Sequence, residues 1–136
     1  WGSNTALQLG RGVLKDPDTM QVLTQAPPGY TTPRITSSKL RAGNQFTCAQ
    51  VGGALQCWGV NGVGQLEDGT TVAKGVPTAA TSVGSFSDLT LGRAHGCALR
   101  PADPVLCWGD AASGQLGDGR SGAGLSATKG VPVQGL

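Results

Sequence analysis

Charge is scarce in this chain. Charged residues fill 13% of its 136 positions, about half the ordinary ~25%. That leaves little material for the Glu/Lys-rich faces of exposed helices, and no segment shows a convincing helical period. The net charge is only +2 and the basic residues are scattered. No Lys/Arg run follows a phosphate backbone and aromatics for base stacking are sparse, so nucleic acid is not an expected partner. No apolar run approaches the ~20 residues that cross a bilayer as a helix. There is a single histidine, and no motif pairs a serine or cysteine with a His/Asp set or two carboxylates with each other, which argues against nucleophilic and glycosidic catalysis. An initiator Met and a signal peptide are also missing. The opening Trp1-Gly2 suggests a processed chain or a piece of a larger polypeptide.

What the chain has is glycine, 23 residues, with 8 prolines, arranged in recurring motifs. Cys57-Trp58-Gly59 through Gly64-Gln65-Leu66-Glu67-Asp68-Gly69 returns 50 residues later as Cys107-Trp108-Gly109 through Gly114-Gln115-Leu116-Gly117-Asp118-Gly119. The start, Trp1-Gly2 through Gln8-Leu9-Gly10, is a third copy with the same spacing from Trp to Gln. Leu40-Arg41-Ala42-Gly43 before Cys48 matches Leu89-Thr90-Leu91-Gly92 before Cys97, and Lys74-Gly75-Val76-Pro77 recurs as Lys129-Gly130-Val131-Pro132. Each unit reads as short strands: one from Leu40 to Gly43 continuing through Gln45–Cys48, a second over Leu55–Trp58, and an extended piece near Val76-Pro77. Short strands at even spacing, a Gly/Trp signature and a period near 50 indicate a propeller or related radial β-repeat. The divisions expected are 1–57, the end of one unit plus a first cysteine hairpin; 58–107, a second unit; and 108–136, the start of a third.

The four cysteines lack the knuckle spacing of a zinc site. A hairpin fits them instead. With Gly52-Gly53 as a two-residue turn, Val51 faces Ala54, Gln50 faces Leu55, Ala49 faces Gln56 and Cys48 faces Cys57. Cys97 likewise faces Cys107 across the longer loop Arg100–Pro104, whose prolines cannot donate ladder bonds. The competing reading is buried free thiols. Paired cysteines imply an oxidising compartment, so an extracellular or cell-surface location is expected, with the periplasm as the alternative.

Taken together, the Cys-Trp-Gly…Gly-Gln-Leu-x-Asp-Gly pattern and Gly92-Arg93-Ala94-His95-Gly96-Cys97-Ala98-Leu99 resemble the repeat of the RCC1-like β-propeller superfamily. The resemblance covers essentially the whole chain. It implies an all-β fold of four-stranded antiparallel blades, typically seven to a ring, of which this chain holds about two and a half. The expected setting is therefore a longer chain, or several chains completing a ring. The cysteine-bearing form is more similar to secreted bacterial members than to the nuclear exchange factor. Its copies depart from one another at Leu7 (Gly64 and Gly114 elsewhere), Arg11 (Asp68 and Asp118) and Glu67 (Gly117).

No cofactor or metal is expected, and no catalytic residue. In the resembled family a His before the Cys, here His95, is a routine repeat residue. Asp68-Gly69 and Asp118-Gly119 read as turns and not calcium loops. Gln8, Gln65 and Gln115 read as loop braces. Trp1, Trp58 and Trp108, fixed at one repeat position, read as blade-to-blade packing, with a sugar platform as the other reading. The repeats differ most after the Gln: 25 residues from Gln8 to Pro33, against 12 from Gln65 to Pro77 and 17 from Gln115 to Pro132. The loop carrying Asp16, Met20 and Tyr30 is either a partner-binding element or a tolerated insertion. The expected function is a non-enzymatic binding or structural module acting through protein–protein contacts on rim loops, with a protein or neighbouring subunits as partner. The alternatives are a secreted inhibitor, as the resemblance to propeller-type β-lactamase inhibitor proteins implies, and a guanine-nucleotide exchange factor.

Overall fold

The computed structural model describes residues 5–10, 39–101 and 104–135. They form two four-stranded antiparallel sheets, each with its strands in chain order. The first comprises β1 (Leu40–Ala42), β2 (Phe46–Val51), β3 (Ala54–Gly59) and β4 (Lys74–Ala79). The second comprises β5 (Asp88–Leu91), β6 (His95–Leu99), β7 (Leu106–Asp110) and β8 (Ser126–Pro132). The repeat boundaries at Trp58 and Trp108 thus fall inside β3 and β7, one strand short of each blade's end.

The central hairpin turns at Gly52 and Gly53, whose φ values of 57° and 87° suit the two-residue turn that matches strand twist. Its register pairs Val51 with Ala54 and Cys48 with Cys57. In the second sheet Cys97 pairs with Cys107.

Two details differ from the sequence reading. The stretch from Leu40 to Cys48 is not one continuing strand but two antiparallel ones, Leu40 lying opposite Ala49. The chain reverses because the Phe46 ring folds back over Gly43, where a Cβ would stand 2.1 Å from a ring carbon. Gly43 N–H donates to the Phe46 carbonyl (2.9 Å), and Gln45 takes φ 67°. Gly92 and His95 repeat the arrangement at 2.2 Å, so the lone histidine occupies the place of a phenylalanine. The second difference concerns the Lys-Gly-Val-Pro tetrapeptides. Cys57 pairs with Thr78 and Gly59 with Lys74, while Cys107 pairs with Val131 and Gly109 with Ala127. Lys74 therefore corresponds to Ala127, and the two tetrapeptides sit two residues out of step. A slip of two keeps every side chain on its own face, which is how a sequence match and a structural match diverge without disturbing the sheet.

The core lies between the sheets as well as within them. Phe46, Cys48, Leu55, Cys57 and Leu66 of the first unit form one buried cluster with Val83, Phe86, Leu89, Ala98 and Trp108 of the second. Each large side chain so buried stabilises the fold by roughly 1.5–3 kcal/mol relative to exposure.

Candidate functional site

Both Trp-Gly pairs sit where the sheet register shifts, between Cys57 and Gly59 and between Cys107 and Gly109. The glycine is obligatory. Gly59 and Gly109 have φ of 110° and 95°, and a Cβ would lie 2.4 and 2.3 Å from the carbonyl oxygens of Gln45 and Ala94. The β1–β2 and β5–β6 turns cross at this point, Val60 and Asp110 donating to those same carbonyls (2.9 Å each).

The kink aims each tryptophan at the preceding repeat. Trp58 Nε1 donates to the Gln8 carbonyl at 2.8 Å, and Trp108 Nε1 donates to the Gln65 carbonyl at 3.0 Å. The glutamine side chains face their own turns. Oε1 of Gln8, Gln65 and Gln115 accepts from the backbone N–H of Ala6 (2.9 Å), Val63 (3.0 Å) and Ser113 (2.7 Å) respectively. One residue type therefore shapes the turn with its side chain and presents its main-chain carbonyl to the next blade. Buried indole N–H groups need such an acceptor.

Close packing accompanies the bond. A Cβ at Gly10 would meet Trp58 Nε1 at 2.9 Å, and one at Gly64 would meet Thr128 Cα at 2.6 Å. At the earlier interface the sizes are exchanged: Leu7, at φ 63°, holds the Gly64 place and, by strand register, Gly75 holds the Thr128 place.

Glu67, fully buried, is a residue that repeat reading treated only as a departure. Its carboxyl group accepts from Ser82 N–H (3.1 and 3.2 Å), Ser82 Oγ–H and Gly130 N–H (2.9 Å). It thereby ties the first rim loop to the β4–β5 connector and to β8.

The rim loops between β3 and β4 and between β7 and β8 share an outline but not their wiring. In the first, buried Asn61 is the hub. Its Nδ2 donates to Asp68 Oδ1 (3.1 Å), the Thr70 carbonyl (3.0 Å) and the Val72 carbonyl (3.2 Å), and its Oδ1 accepts from Leu66 N–H (3.0 Å). In the second, Ala111 stands in its place. Asp110 instead accepts from Ala112 N–H (3.1 Å) and Gln115 Nε2 (2.8 Å), while Asp118 holds Arg120 (2.7 Å to Nε). Asn61 follows Cys57-Trp58-Gly59-Val60 and matches Asn4 of the copy at Trp1; its replacement by Ala111 in the copy at Trp108 was the available signal.

Two carboxyl groups are perturbed. At Asp68 burial raises the pKa, but hydrogen bonds from Thr70 and Asn61 and the charge of Lys74 outweigh it and hold the group below its ordinary 3.8. At Asp118 the hydrogen bonds and charge of Arg120 prevail over desolvation, again lowering it.

Cys48 and Cys57 lie at disulfide distance, sulfurs 2.15 Å apart and Cα atoms 4.1 Å apart, and Cys97 and Cys107 match them at 2.14 and 4.1 Å. Among the described residues no group of three His, Cys, Asp or Glu side chains converges on a metal position. Trp1, Asp16, Met20 and Tyr30 lie outside the described residues.

Two sheets of four antiparallel strands, meeting through β1 and β5 and a shared buried cluster and joined by a short connector, have the fold of β-propeller blades. Their fold is similar to that of RCC1 propeller blades. Prp20p of Saccharomyces cerevisiae, whose crystal structure was described with its binding properties to Gsp1p and histones, is similar over 77% of this chain and 27% of its own at 15% identity, with a TM-score of 0.65. Yeast RCC1 (Prp20) bound to Kap60 is similar over 76% and 25%, at 17% identity and a TM-score of 0.59. Human WBSCR16 is similar over 100% and 40%, at 18% identity and a TM-score of 0.73. The chain spans roughly a quarter to two-fifths of the length of these structures. No protein-family model and no curated protein matches the sequence.

Proposed function

We propose that this chain is a non-enzymatic, protein-binding or structural propeller segment that works outside the reducing cytosol, secreted or on the cell surface, and contacts its partner through the rim loops. The observation that carries the reading is a division of labour between the two copies. Sheet, hairpin, Trp–carbonyl bond and cysteine pair are repeated, whereas the rim loops are wired differently and each presents an exposed apolar side chain, Val72 (62% exposed) and Leu125 (38%). A scaffold that repeats while its loops diverge is the pattern of recognition surfaces. The cysteine pairs fit an oxidising compartment. The Asp16–Tyr30 loop, the longest of the three connections after the repeated Gln, is assigned the same role.

Photocrosslinking from positions 72 and 125 tests this in the organism's secreted and surface fractions. A discrete protein adduct lost in a Val72→Asp, Leu125→Asp double variant that keeps its melting temperature is expected. Adducts indifferent to that substitution, and to deletion of residues 16–30, contradict the rim-loop reading. Four free thiols in non-reducing mass spectrometry contradict the compartment.

A further inference from the structure

Asn61-Gly62 is the one Asn-Gly pair of the chain; Asn4 and Asn44 precede Thr5 and Gln45. In such a pair no Cβ shields the glycine nitrogen, which is therefore free to attack the asparagine side-chain carbon. The fold makes no use of this glycine. Its backbone is not left-handed, and a Cβ there would meet nothing within 4 Å among the described residues. The aligned positions of the other copies carry Thr5 and Ala112. Gly59 and Gly64, by contrast, are pressed against backbone atoms at 2.4 and 2.6 Å. Asn61 itself is buried, with its carboxamide clamped at both ends. Nδ2 faces four oxygens: Asp68 Oδ1 (3.1 Å), the Thr70 carbonyl (3.0 Å), Thr70 Oγ1 (3.3 Å) and the Val72 carbonyl (3.2 Å). Its Oδ1 accepts from Leu66 N–H (3.0 Å). The Thr70 hydroxyl already donates to Asp68 Oδ1 (2.8 Å), so all four oxygens offer Nδ2 a lone pair.

While those bonds stand, the carboxamide cannot swing onto the Gly62 nitrogen. Thr70 and Val72 are exposed, however, and rim loops open locally without global unfolding. We propose that Asn61-Gly62 is a self-modification site gated by the β3–β4 loop, and that its conversion is a one-way latch on that loop. When the loop opens, the Gly62 main-chain nitrogen bonds to Asn61 Cγ. The Cγ–Nδ2 bond breaks, and ammonia leaves with the proton that the nitrogen held, giving a five-membered imide. Water then opens the imide to an aspartyl or isoaspartyl residue at position 61, and no oxidant or reductant takes part. Reclosure would set an aspartyl carboxylate oxygen where Nδ2 stood, among four lone pairs, one of them on the Asp68 carboxylate. The isoaspartyl form lengthens the main chain by one carbon and spoils the loop's register. This goes beyond the rim-loop reading, since the reaction is intramolecular and needs no partner.

The test ages the full chain in mildly alkaline buffer, folded or in guanidinium chloride, and reads conversion at position 61 by peptide mass spectrometry and ammonia release. The folded chain is expected to convert about 30-fold more slowly than the denatured one. Thr70→Gly, which removes a hydroxyl from the exposed loop, should raise the folded rate several-fold with the melting temperature nearly unchanged. Gly62→Ala, at a position that accepts a Cβ, should keep the melting temperature and suppress conversion in both states. Equal rates in the folded and denatured parent overturn the gate, as does a folded rate indifferent to Thr70→Gly. Conversion of Gly62→Ala at the parent's rate overturns the route. The latch is read on Asn61→Asp, which supplies the product directly, and on parent chain converted while folded. In both, the Leu66 and Thr70 amides should lose their exchange protection while the Trp58 and Trp108 indoles keep theirs. Protected Leu66 and Thr70 amides mean that the loop recloses, and overturn the latch. Loss of indole protection as well makes Asn61 a support of the whole blade, and overturns a latch confined to the loop.

Discussion

The carboxyl group of Glu67 accepts a hydrogen bond from the backbone N–H of Gly130, 2.9 Å away and 63 residues along the chain. Glu67 reaches it from a left-handed backbone, φ 61°, at a place where the other two copies have Gly10 and Gly117. A side chain in that conformation costs roughly 1–2 kcal/mol, and it persists because the carboxyl group also gathers Ser82 N–H and Oγ–H. Glu67→Gly relieves the strain but strands Ser82 N–H, at roughly 1–3 kcal/mol for an unsatisfied donor, and leaves Gly130 N–H with the Ser82 Oγ (2.9 Å) as its acceptor. A net loss of stability is expected in urea unfolding, with the slope unchanged. A variant more stable than the parent contradicts the clamp.

The glycine after each tryptophan answers to a different constraint. At Gly59 and Gly109 an added Cβ meets a carbonyl oxygen of the crossing turn at 2.4 and 2.3 Å, and that backbone cannot yield without opening the sheet. Gly59→Ala or Gly109→Ala is expected to cost roughly 2–4 kcal/mol. Gly53→Ala, at φ 87° with nothing within 4 Å, carries only the backbone penalty, roughly 1 kcal/mol. Melting temperatures of the three variants check the ranking.

Acid should weaken the rim loops. Asp68 and Asp118 both have folded-state pKa values below the ordinary 3.8. Between the two values the unfolded chain binds more protons than the folded one, so stability rises with pH there. The contribution is complete above about pH 5, and falls as the pH drops through 3.8 toward the folded values. Asp68→Asn should lower the urea midpoint at pH 7, and its deficit against the parent should shrink on titration to pH 3. A deficit that grows in acid contradicts the assignment.

The cysteine pairs close loops of sequence separation 9 and 10, for which chain entropy gives roughly 2–3 kcal/mol each. Reduction, or Cys48→Ser with Cys57→Ser, is expected to lower the unfolding midpoint accordingly. An unchanged midpoint contradicts a covalent role.

Much of this fold was readable as residues. The Gly52-Gly53 turn sets hairpin register by its length alone, so counting outward from it put Cys48 opposite Cys57, and the structure has that pairing. The Trp and Gln spacing marked the copies. Three things were not readable. The reversal at Gly43 depends on a ring folding over a glycine, a contact no period displays. The two-residue slip of Lys74-Gly75-Val76-Pro77 against its repeat preserves the faces, so patterning cannot detect it. Asn61, Glu67 and Asp110 owe their roles to partners 5 to 63 residues away, and none of them is kept in all three copies, so repetition does not mark them.

The central claim is that each blade hangs on the one before it through an indole–carbonyl bond, and indole N–H exchange in the native chain tests it most directly. Trp58 and Trp108 should both exchange far more slowly than free indole, Trp108 the slower of the two because it is wholly buried while Trp58 retains 3% exposure. Substituting Glu67→Gly should speed Trp108 and leave Trp58 unmoved. Two indoles that exchange at the free rate while the amides of β2, β3, β6 and β7 stay protected would contradict the account.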